Sequence, residues 1–371
     1  MNPHDDYEAL IKHMQKWLMG LPDTLEMREL VKARMSPEEA DFLAGFPFLP
    51  HTLERLSEIL ETPREQLKAV LDPMARKGLV FRHESRNAVR YALNGSMFML
   101  YRSPFWSGSD DDETRRLAQL SNKYFYPVYG HEFGDYPTTG LRAIPIQRTL
   151  EDPRRVSPYE DVAQVLERED YFCVAYCPCR QRKNLDPDST SCKHETFNCL
   201  HFGRLARYMV QQGMGREIGS EETLEILGAA ADAGLVHAIS THLTQPDSIC
   251  NCCSCCCIYV QSANVLGAHG HQRSNYVAQT AAETCKACGL CVERCPMDAV
   301  KLQPSSQAEN KRGEAAVVDP SLCIGCGVCA HKCPTQSIRL VHRPENEVFP
   351  VTEREMAEGM AEERGIDPFG M

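Results

Sequence analysis

The sequence predicts an α+β protein of more than one domain, and three observations support this class. The chain of 371 residues is long enough for two or three domains that each bury a core. Residues 1–100 show helix-like patterns followed by strand-like patterns. All 19 cysteines lie after residue 172. We therefore separate a head without cysteines from a cysteine-rich remainder.

The head contains signals for three short helices followed by a hairpin. Ser36 and Pro37 suit the N-cap and the first position of a helix, and residues 52–60 and 62–78 continue the helical pattern. Residues 79–93 then form two β-rich runs around a polar turn at 84–87. This order resembles a winged helix-turn-helix, so we predict a winged-helix-like domain over residues 1–100.

Such a domain often binds DNA, and several basic residues of the head are candidates for phosphate contacts. They are Arg64, Lys68, Arg76 and Lys77 on the third helix and Arg82, Arg86 and Arg90 on the hairpin. Glu65 and Asp72 lie on the same helix, and the whole chain has a net charge of −11. The acidic balance argues against a nucleic-acid partner, so we expect a packing or interaction module.

The termini and composition indicate where the protein works. Asp5, Asp6 and Glu8 lie where a signal peptide would carry positive charge, and no stretch approaches the roughly 18 apolar residues of a membrane helix. An odd number of cysteines without export favours metal or redox chemistry over disulfides. We expect a cytoplasmic protein without a membrane partner.

Two cysteine runs near the C-terminus share one spacing, C-x2-C-x2-C-x3-C-P. This is the bacterial iron–sulfur run, in which the last cysteine of each run ligates the cluster of the other run. Structural zinc sites do not require three closely spaced cysteines followed by Cys-Pro, so this spacing argues against zinc. The predicted sites are Cys285, Cys288, Cys291 and Cys333 for one cluster, and Cys323, Cys326, Cys329 and Cys295 for the other.

Residues 284–341 resemble a bacterial double-cubane ferredoxin through these two runs. The resemblance implies two [4Fe–4S] clusters, a short β–α–β–α fold and one-electron transfer at low potential. The apolar residues expected to shield the clusters are Val300, Ile324, Val328 and Ile338. We predict a ferredoxin domain over residues 271–341 and an acidic tail over 342–371, which would be a solvated helix end or a docking surface.

Eleven further cysteines lie between residues 173 and 257, six of them in the segment CNCCSCCC that begins at Cys250. One tetrahedral zinc ion uses four ligands, so eleven thiols favour two sites or a larger cluster. Neighbouring cysteines point in different directions, so part of the segment is expected to be buried without binding metal. We predict a cysteine-rich metal-binding domain over residues 173–270, preceded by a connecting segment over 101–172.

The whole chain also resembles a family of uncharacterised iron–sulfur proteins of anaerobes. The resemblance lies in AYCPCR at 175–180, SCKHETFNCLHFG at 191–203, ICNCCSCCC at 249–257 and SNYVAQ at 274–279. It implies ligands at Cys177, Cys179, Cys192, Cys199, Cys250, Cys252 and Cys253. We predict an iron–sulfur cluster on them, with zinc or free redox thiols as the alternatives. The chain is distantly similar to the paired-cysteine modules of heterodisulfide reductases, but it lacks their Cys-Cys-Gly signature, so that activity does not transfer.

Other polar residues near the thiols are expected to have ordinary roles. They are the histidines His131, His194, His201 and His237, which are not needed as ligands where thiolate is abundant. Arg180 is expected either to offset thiolate charge or to lie in solvent.

These features predict an electron-transfer protein that passes single low-potential electrons between a redox partner, such as a flavoprotein or an oxidoreductase, and the middle site. Two alternatives remain: an enzyme that binds substrate at an open metal position, and a redox-sensing DNA-binding regulator. No Gly-x-Gly-x-x-Gly turn follows a strand, so hydride chemistry would belong to a partner. The sequence leaves the enzymatic activity and the oligomeric state open.

Overall fold

The computed structural model describes residues 6–84, 88–267 and 270–367. Helices and strands are mixed through this part of the chain, which confirms the predicted α+β class. Ser85, Arg86 and Asn87 of the expected hairpin turn lie outside the described residues. None of the helices in the described part of the chain is long and apolar enough to span a membrane.

The head combines five helices with a small antiparallel sheet of strand order β1–β3–β2. Its elements are α1 (Glu8–Met14), α2 (Leu25–Arg34), α3 (Pro37–Leu43), β1 (His51–Thr52), α4 (Leu53–Ile59), α5 (Arg64–Lys77), β2 (Val80–Glu84) and β3 (Val89–Leu93). Ser36 and Glu39 form a capping box that begins α3. Gly78 ends α5 in the left-handed conformation, with φ at 77°. The three predicted helices are therefore α3, α4 and α5.

A six-stranded antiparallel sheet forms the middle of the molecule. Its strands are β4 (Leu141–Ala143), β5 (Phe172–Ala175), β6 (Cys199–Phe202), β7 (Arg216–Ile218), β8 (Val236–Ser240) and β9 (Ser248–Cys252). They lie in the order β4–β8–β9–β6–β5–β7. The segment 101–172, which we predicted to be a connection, contributes the edge strand β4. The backbone of β4 pairs with β8.

Seven α-helices lie between residues 112 and 266 of the described chain. They are α6 (Asp112–Tyr124), α7 (His131–Gly134), α8 (Val162–Leu166), α9 (Pro178–Leu185), α10 (Gly203–Gln211), α11 (Ser220–Asp232) and α12 (Ile258–Leu266). Of these, α10 and α11 pack on strands of this sheet. The head packs directly on α10, where the Tyr208 hydroxyl donates to the carbonyls of Ala75 and Val80 at 2.8 and 3.1 Å. One apolar core runs from the head into the middle of the molecule and includes Trp106 and Ile258.

The C-terminal third contains two short antiparallel pairs of strands. Its elements are β10 (Tyr276–Thr280), α13 (Leu290–Arg294), β11 (Val300–Pro304), β12 (Glu314–Val318), α14 (Val328–His331), β13 (Ile338–His342) and α15 (Glu353–Arg364). Strand β10 pairs with β13, and β11 pairs with β12. The order is thus β–α–β–β–α–β rather than the expected β–α–β–α, because the polar residues 305–313 close an additional hairpin.

The acidic tail packs one face of its helix, α15, on the middle of the molecule, whereas Glu353, Glu355, Glu358 and Glu362 remain exposed to solvent. Ala357, Met360 and Ala361 of α15 recur at helical spacing and are buried. Arg364 forms a partly buried ion pair with Glu132, with 3.1 Å between Nε and Oε2. These contacts fix α15 against the chain around α7.

A close approach between Gly270 and α12 provides a test of this packing. A methyl group on Gly270 would lie 1.6 Å from the carbonyl oxygen of Tyr259. Because a backbone atom cannot rotate away, we expect Gly270→Ala to lower the free energy of unfolding by about 1–3 kcal/mol. Gly219→Ala is the matched control, since its added methyl group meets no atom within 4 Å. Equal midpoints in anaerobic thermal unfolding, followed by circular dichroism, would contradict the packing.

Candidate metal centres

The two C-terminal cysteine runs surround two small cavities of about 20 Å³ each. The sulfur-bearing residues are Cys285, Cys288, Cys291 and Cys333 around one cavity, and Cys295, Cys323, Cys326 and Cys329 around the other. Each set combines three cysteines of one run with the last cysteine of the other run. The motif spacing predicts the same two sets as cluster ligands, and their role as ligands stays a prediction.

The backbone around these cavities suits close wrapping of a cluster. Gly289 and Gly327 precede α13 and α14 with φ at 83° and 80°, a conformation that glycine adopts without strain. The apolar residues Val300 and Ile324 line the second cavity, and Ile338 lines the first. The amide of Ala299 donates to the sulfur of Cys295 at 3.3 Å. Amide bonds to sulfur and burial of this kind tune cluster potentials.

Residues 284–337 match the family model of the 4Fe-4S dicluster domain. No curated protein and no solved structure matches the chain. The matched segment, here called the dicluster domain, establishes an iron–sulfur protein with an electron-transfer role. The match covers all eight cysteines of the two runs.

Ten of the eleven middle cysteines gather at one end of the six-stranded sheet. Strands β5, β6 and β9 deliver them there, because β5 ends near Cys177, β6 begins at Cys199 and β9 ends at Cys252. The exception is Cys173 in β5, which lies in the apolar core. Burial raises the pKa of the Cys173 thiol to about 12, so this residue behaves as a small apolar side chain.

Most of these thiols line one cavity of about 210 Å³, here called the thiol cavity. Its cysteines are Cys177, Cys179, Cys199, Cys250, Cys252, Cys253 and Cys257. The lining also includes Arg102, Asp247 and Tyr259, together with Glu353 and Met356 of α15. The thiol cavity is therefore much larger than either cavity of the dicluster domain and is not lined by sulfur alone.

The three remaining thiols form a compact group with Cys253 of the cavity. This group, here called the thiol tetrad, has all its sulfur atoms within 4.8 Å of one another and consists of Cys192, Cys253, Cys255 and Cys256. Cys252, Cys257 and His271 form another group within the same limit. Six of the seven ligands implied by the family resemblance thus line the thiol cavity, and Cys192 lies in the tetrad.

Arg180 is fully buried and connects the segments that carry the thiols. One of its nitrogens donates to the carbonyl of Glu195 and to the side chain of Asn198, each at 2.6 Å. Another donates to the carbonyl of Asn251. Burial alone would lower the pKa of Arg180, but the nearby sulfurs of Cys177 and Cys253 raise it. Arg180 therefore offsets thiolate charge, and the alternative of a solvent-exposed side chain is wrong.

The histidines considered from the sequence lie outside both groups of close ligand atoms in the described part of the chain. His201 is fully buried against Trp106, and burial lowers its pKa to about 3. His237 shares a hydrogen bond of 2.7 Å with Asn251. Burial lowers the pKa of His194, and His131 is half exposed and pairs with Asp135 at 3.3 Å.

Sequence reasoning missed four side chains that the fold places among the close groups of candidate ligands, namely three cysteines and one histidine. Cys255, Cys256 and Cys257 are not among the ligands that the family resemblance implies, and the structure places all three in close groups. His271 carried no signal, because it reaches Cys252 and Cys257 only through the tertiary fold. Repeated adjacent cysteines could have identified the first three, since apolar packing does not require so many thiols in eight positions.

The contacts of Arg180 predict how the thiol cavity depends on it. We expect Arg180→Met to lower the free energy of unfolding by about 3 kcal/mol or more, because the buried acceptors of Asn198 and Asn251 and the nearby thiolates lose their partner. Arg115→Met is the control, since Arg115 forms an exposed pair with Asp110 and such pairs contribute about 0–1 kcal/mol.

Anaerobic iron and sulfide analysis and thermal unfolding would measure the effect. Arg180→Met should lose metal beyond that of the dicluster domain, whereas Arg115→Met should keep it. Full metal content and an unchanged unfolding midpoint in Arg180→Met would contradict the role of this guanidinium.

Proposed function

We propose that the protein accepts single electrons from a redox partner and passes them through the dicluster domain to an iron–sulfur centre in the thiol cavity. The observation that supports this proposal is the packing of the two regions against each other. Cys326 belongs to the same buried apolar cluster as Cys252 and Cys257. A predicted ligand of the second cluster thus lies in a continuous packed core with two thiols of the cavity.

Polar contacts fix the dicluster domain in this position. Arg294 donates to the carbonyls of Ala231 and Asp232 at 2.9 and 3.1 Å. His331 and Lys332 each lie 2.7 Å from the Asp232 carboxylate. These contacts hold α13 and α14 against the end of α11, so the proposed electron route has a defined geometry.

Exposure favours one direction along this route. Cys288, in the set of the first cluster, is exposed, whereas Cys326 and Cys329 in the second set are buried. A partner protein could therefore approach the cluster of Cys285, Cys288, Cys291 and Cys333 directly. In the proposed order, electrons enter there, pass to the cluster of Cys295, Cys323, Cys326 and Cys329, and end in the thiol cavity.

The residues of the thiol cavity fit an iron–sulfur centre. Thiolates are the soft ligands that such clusters use, and Arg180 and Arg102 bring positive charge next to them. The sulfurs of Cys250 and Cys199 and the carboxylate of Asp247 raise the pKa of Arg102 although burial opposes this. A cluster bound by these thiols would accept and release single electrons. We place this reaction in the reducing cytoplasm, with a flavoprotein or an oxidoreductase as the partner.

The size of the thiol cavity favours a second candidate function, reduction of a small substrate at that centre. Each dicluster cavity measures about 20 Å³, whereas the thiol cavity measures about 210 Å³. The additional space is bordered by polar side chains, including Arg102, His242 and Asp247. In this version the protein is an oxidoreductase whose electrons come from the dicluster domain.

The head resembles a winged helix, but its charges do not favour the DNA-binding alternative. Arg64, Lys68 and Lys77 each pair with an acid, namely Glu54, Asp72 and Glu39 at the surface of the head. The expected contact Arg86 lies outside the described residues. We propose instead that the head stabilises the middle of the molecule by packing against α10.

Removal of the second cluster tests the electron route. Cys329→Ala should retain the first cluster, lose about four iron atoms per chain, and slow reduction of the thiol-cavity centre by reduced flavodoxin at least about tenfold. Cys173→Ala is the matched control, because Cys173 is a buried thiol outside both metal groups. Stopped-flow absorption and electron paramagnetic resonance under anaerobic conditions would follow the centre.

Two results would contradict the proposal. An iron content of only about eight atoms per chain in the unmodified protein would leave no cluster for the thiol cavity. Equal reduction rates in Cys329→Ala and in the unmodified protein would show that electrons reach the cavity without the second cluster.

A further inference from the structure

The sulfur atoms of the thiol tetrad lie unusually close together. Cys192 lies 3.9 Å from Cys253 and 3.5 Å from Cys255, measured between sulfur atoms. Cys255 lies 3.5 Å from Cys253 and 3.4 Å from Cys256. Two chain segments separated by 61 residues thus bring four thiols to one point.

These distances match a single metal ion. Zinc binds thiolate sulfur at about 2.3 Å, and four such sulfurs at the corners of a tetrahedron are about 3.8 Å apart. Thiolates around a cubane are held much farther apart, because the iron and sulfide atoms of the cluster lie between them. The dicluster cysteines provide the internal comparison: among the described residues, they form no group within the 4.8 Å limit that the tetrad satisfies.

We propose that Cys192, Cys253, Cys255 and Cys256 bind one zinc ion in a closed tetrathiolate site, separate from the centre in the thiol cavity. Four thiolates complete a tetrahedral zinc site and leave no position for substrate, which is typical of structural zinc. Three of the four cysteines do not line the thiol cavity, whereas Cys253 borders both. The assignment therefore leaves six cysteines of the cavity for its own centre.

Neighbouring positive charge suits this site. Four thiolates and one zinc ion together carry two negative charges, which need compensation in a partly buried position. The Lys183 ammonium donates to the carbonyl of Cys255 at 2.6 Å, and Arg180 is held next to Cys253. The amide of Cys192 donates to the Asn184 side chain at 2.7 Å, which fixes the approach of this loop.

The position of the site indicates what the ion would do. Cys192 lies in the loop between α9 and β6, and the other three cysteines lie in the turn between β9 and α12. Cys177 and Cys257, the residues just before α9 and α12, line the thiol cavity. A zinc ion joining the two loops would hold both helix starts in place and would shape that cavity.

The unmodified, anaerobically purified protein provides the first test. We expect about one zinc ion per chain and, by X-ray absorption at the zinc edge, four sulfur neighbours at about 2.3 Å without nitrogen. Absence of zinc, occupation by mononuclear iron, or nitrogen ligands would overturn the proposal. This measurement needs no variant, so it does not depend on the folding of a mutant.

Variants then locate the ion. Cys192→Ser and Cys255→Ser should each reduce zinc to less than about one tenth of the level of the unmodified protein and keep the iron and sulfide of the dicluster domain. Cys173→Ala is the control and should keep zinc. Loss of iron with retention of zinc in Cys192→Ser would overturn the assignment. The electron route is tested by iron content and by Cys329→Ala, so either proposal can fail alone.

Discussion

The cysteine-rich half of the molecule depends on the hydrogen bonds and the positive charge of the Arg180 guanidinium. It is fully buried and donates to groups of the 195–198 loop and of β9, which carry thiols or lie beside them. Ten thiols in one region would repel one another as they ionise, and burial increases that repulsion. A guanidinium in their midst stabilises the ionised sulfurs and fixes the backbones that position them. Charge compensation and chain assembly are therefore performed by the same side chain.

The second constraint is the continuous packing between the dicluster domain and the thiol cavity. Cys326, Cys252 and Cys257 share one buried cluster with Val260 and Val328. Close-packed interiors deform little, so such a contact holds the dicluster domain and the thiol cavity at a fixed separation. The ion pairs of Asp232 lie at the margin of this contact, where they set orientation more than they contribute energy.

Features that depend on residues close together in sequence could be predicted, whereas features that depend on contacts between distant residues could not. The capping of α3 by Ser36 and the left-handed Gly78 depend on neighbouring residues, and both were readable. The dicluster motifs were readable because each run spaces its ligands within one short loop. The thiol tetrad could not be predicted from the sequence, since Cys192 and Cys253 are 61 residues apart and only the strand order brings them together. The pairing of β4 with β8 and the contact of His271 depend on the same tertiary information.

The thiol cavity is completed by parts of the chain that are far apart in sequence. Arg102 comes from the segment after the head, the cysteines come from two regions around β6 and β9, and Glu353 and Met356 come from α15. Helix α15 follows the dicluster domain in the chain and is held by the partly buried pair of Arg364 with Glu132. A complete cavity therefore requires α15 to be in place against the middle of the molecule, on the far side of the dicluster domain in sequence.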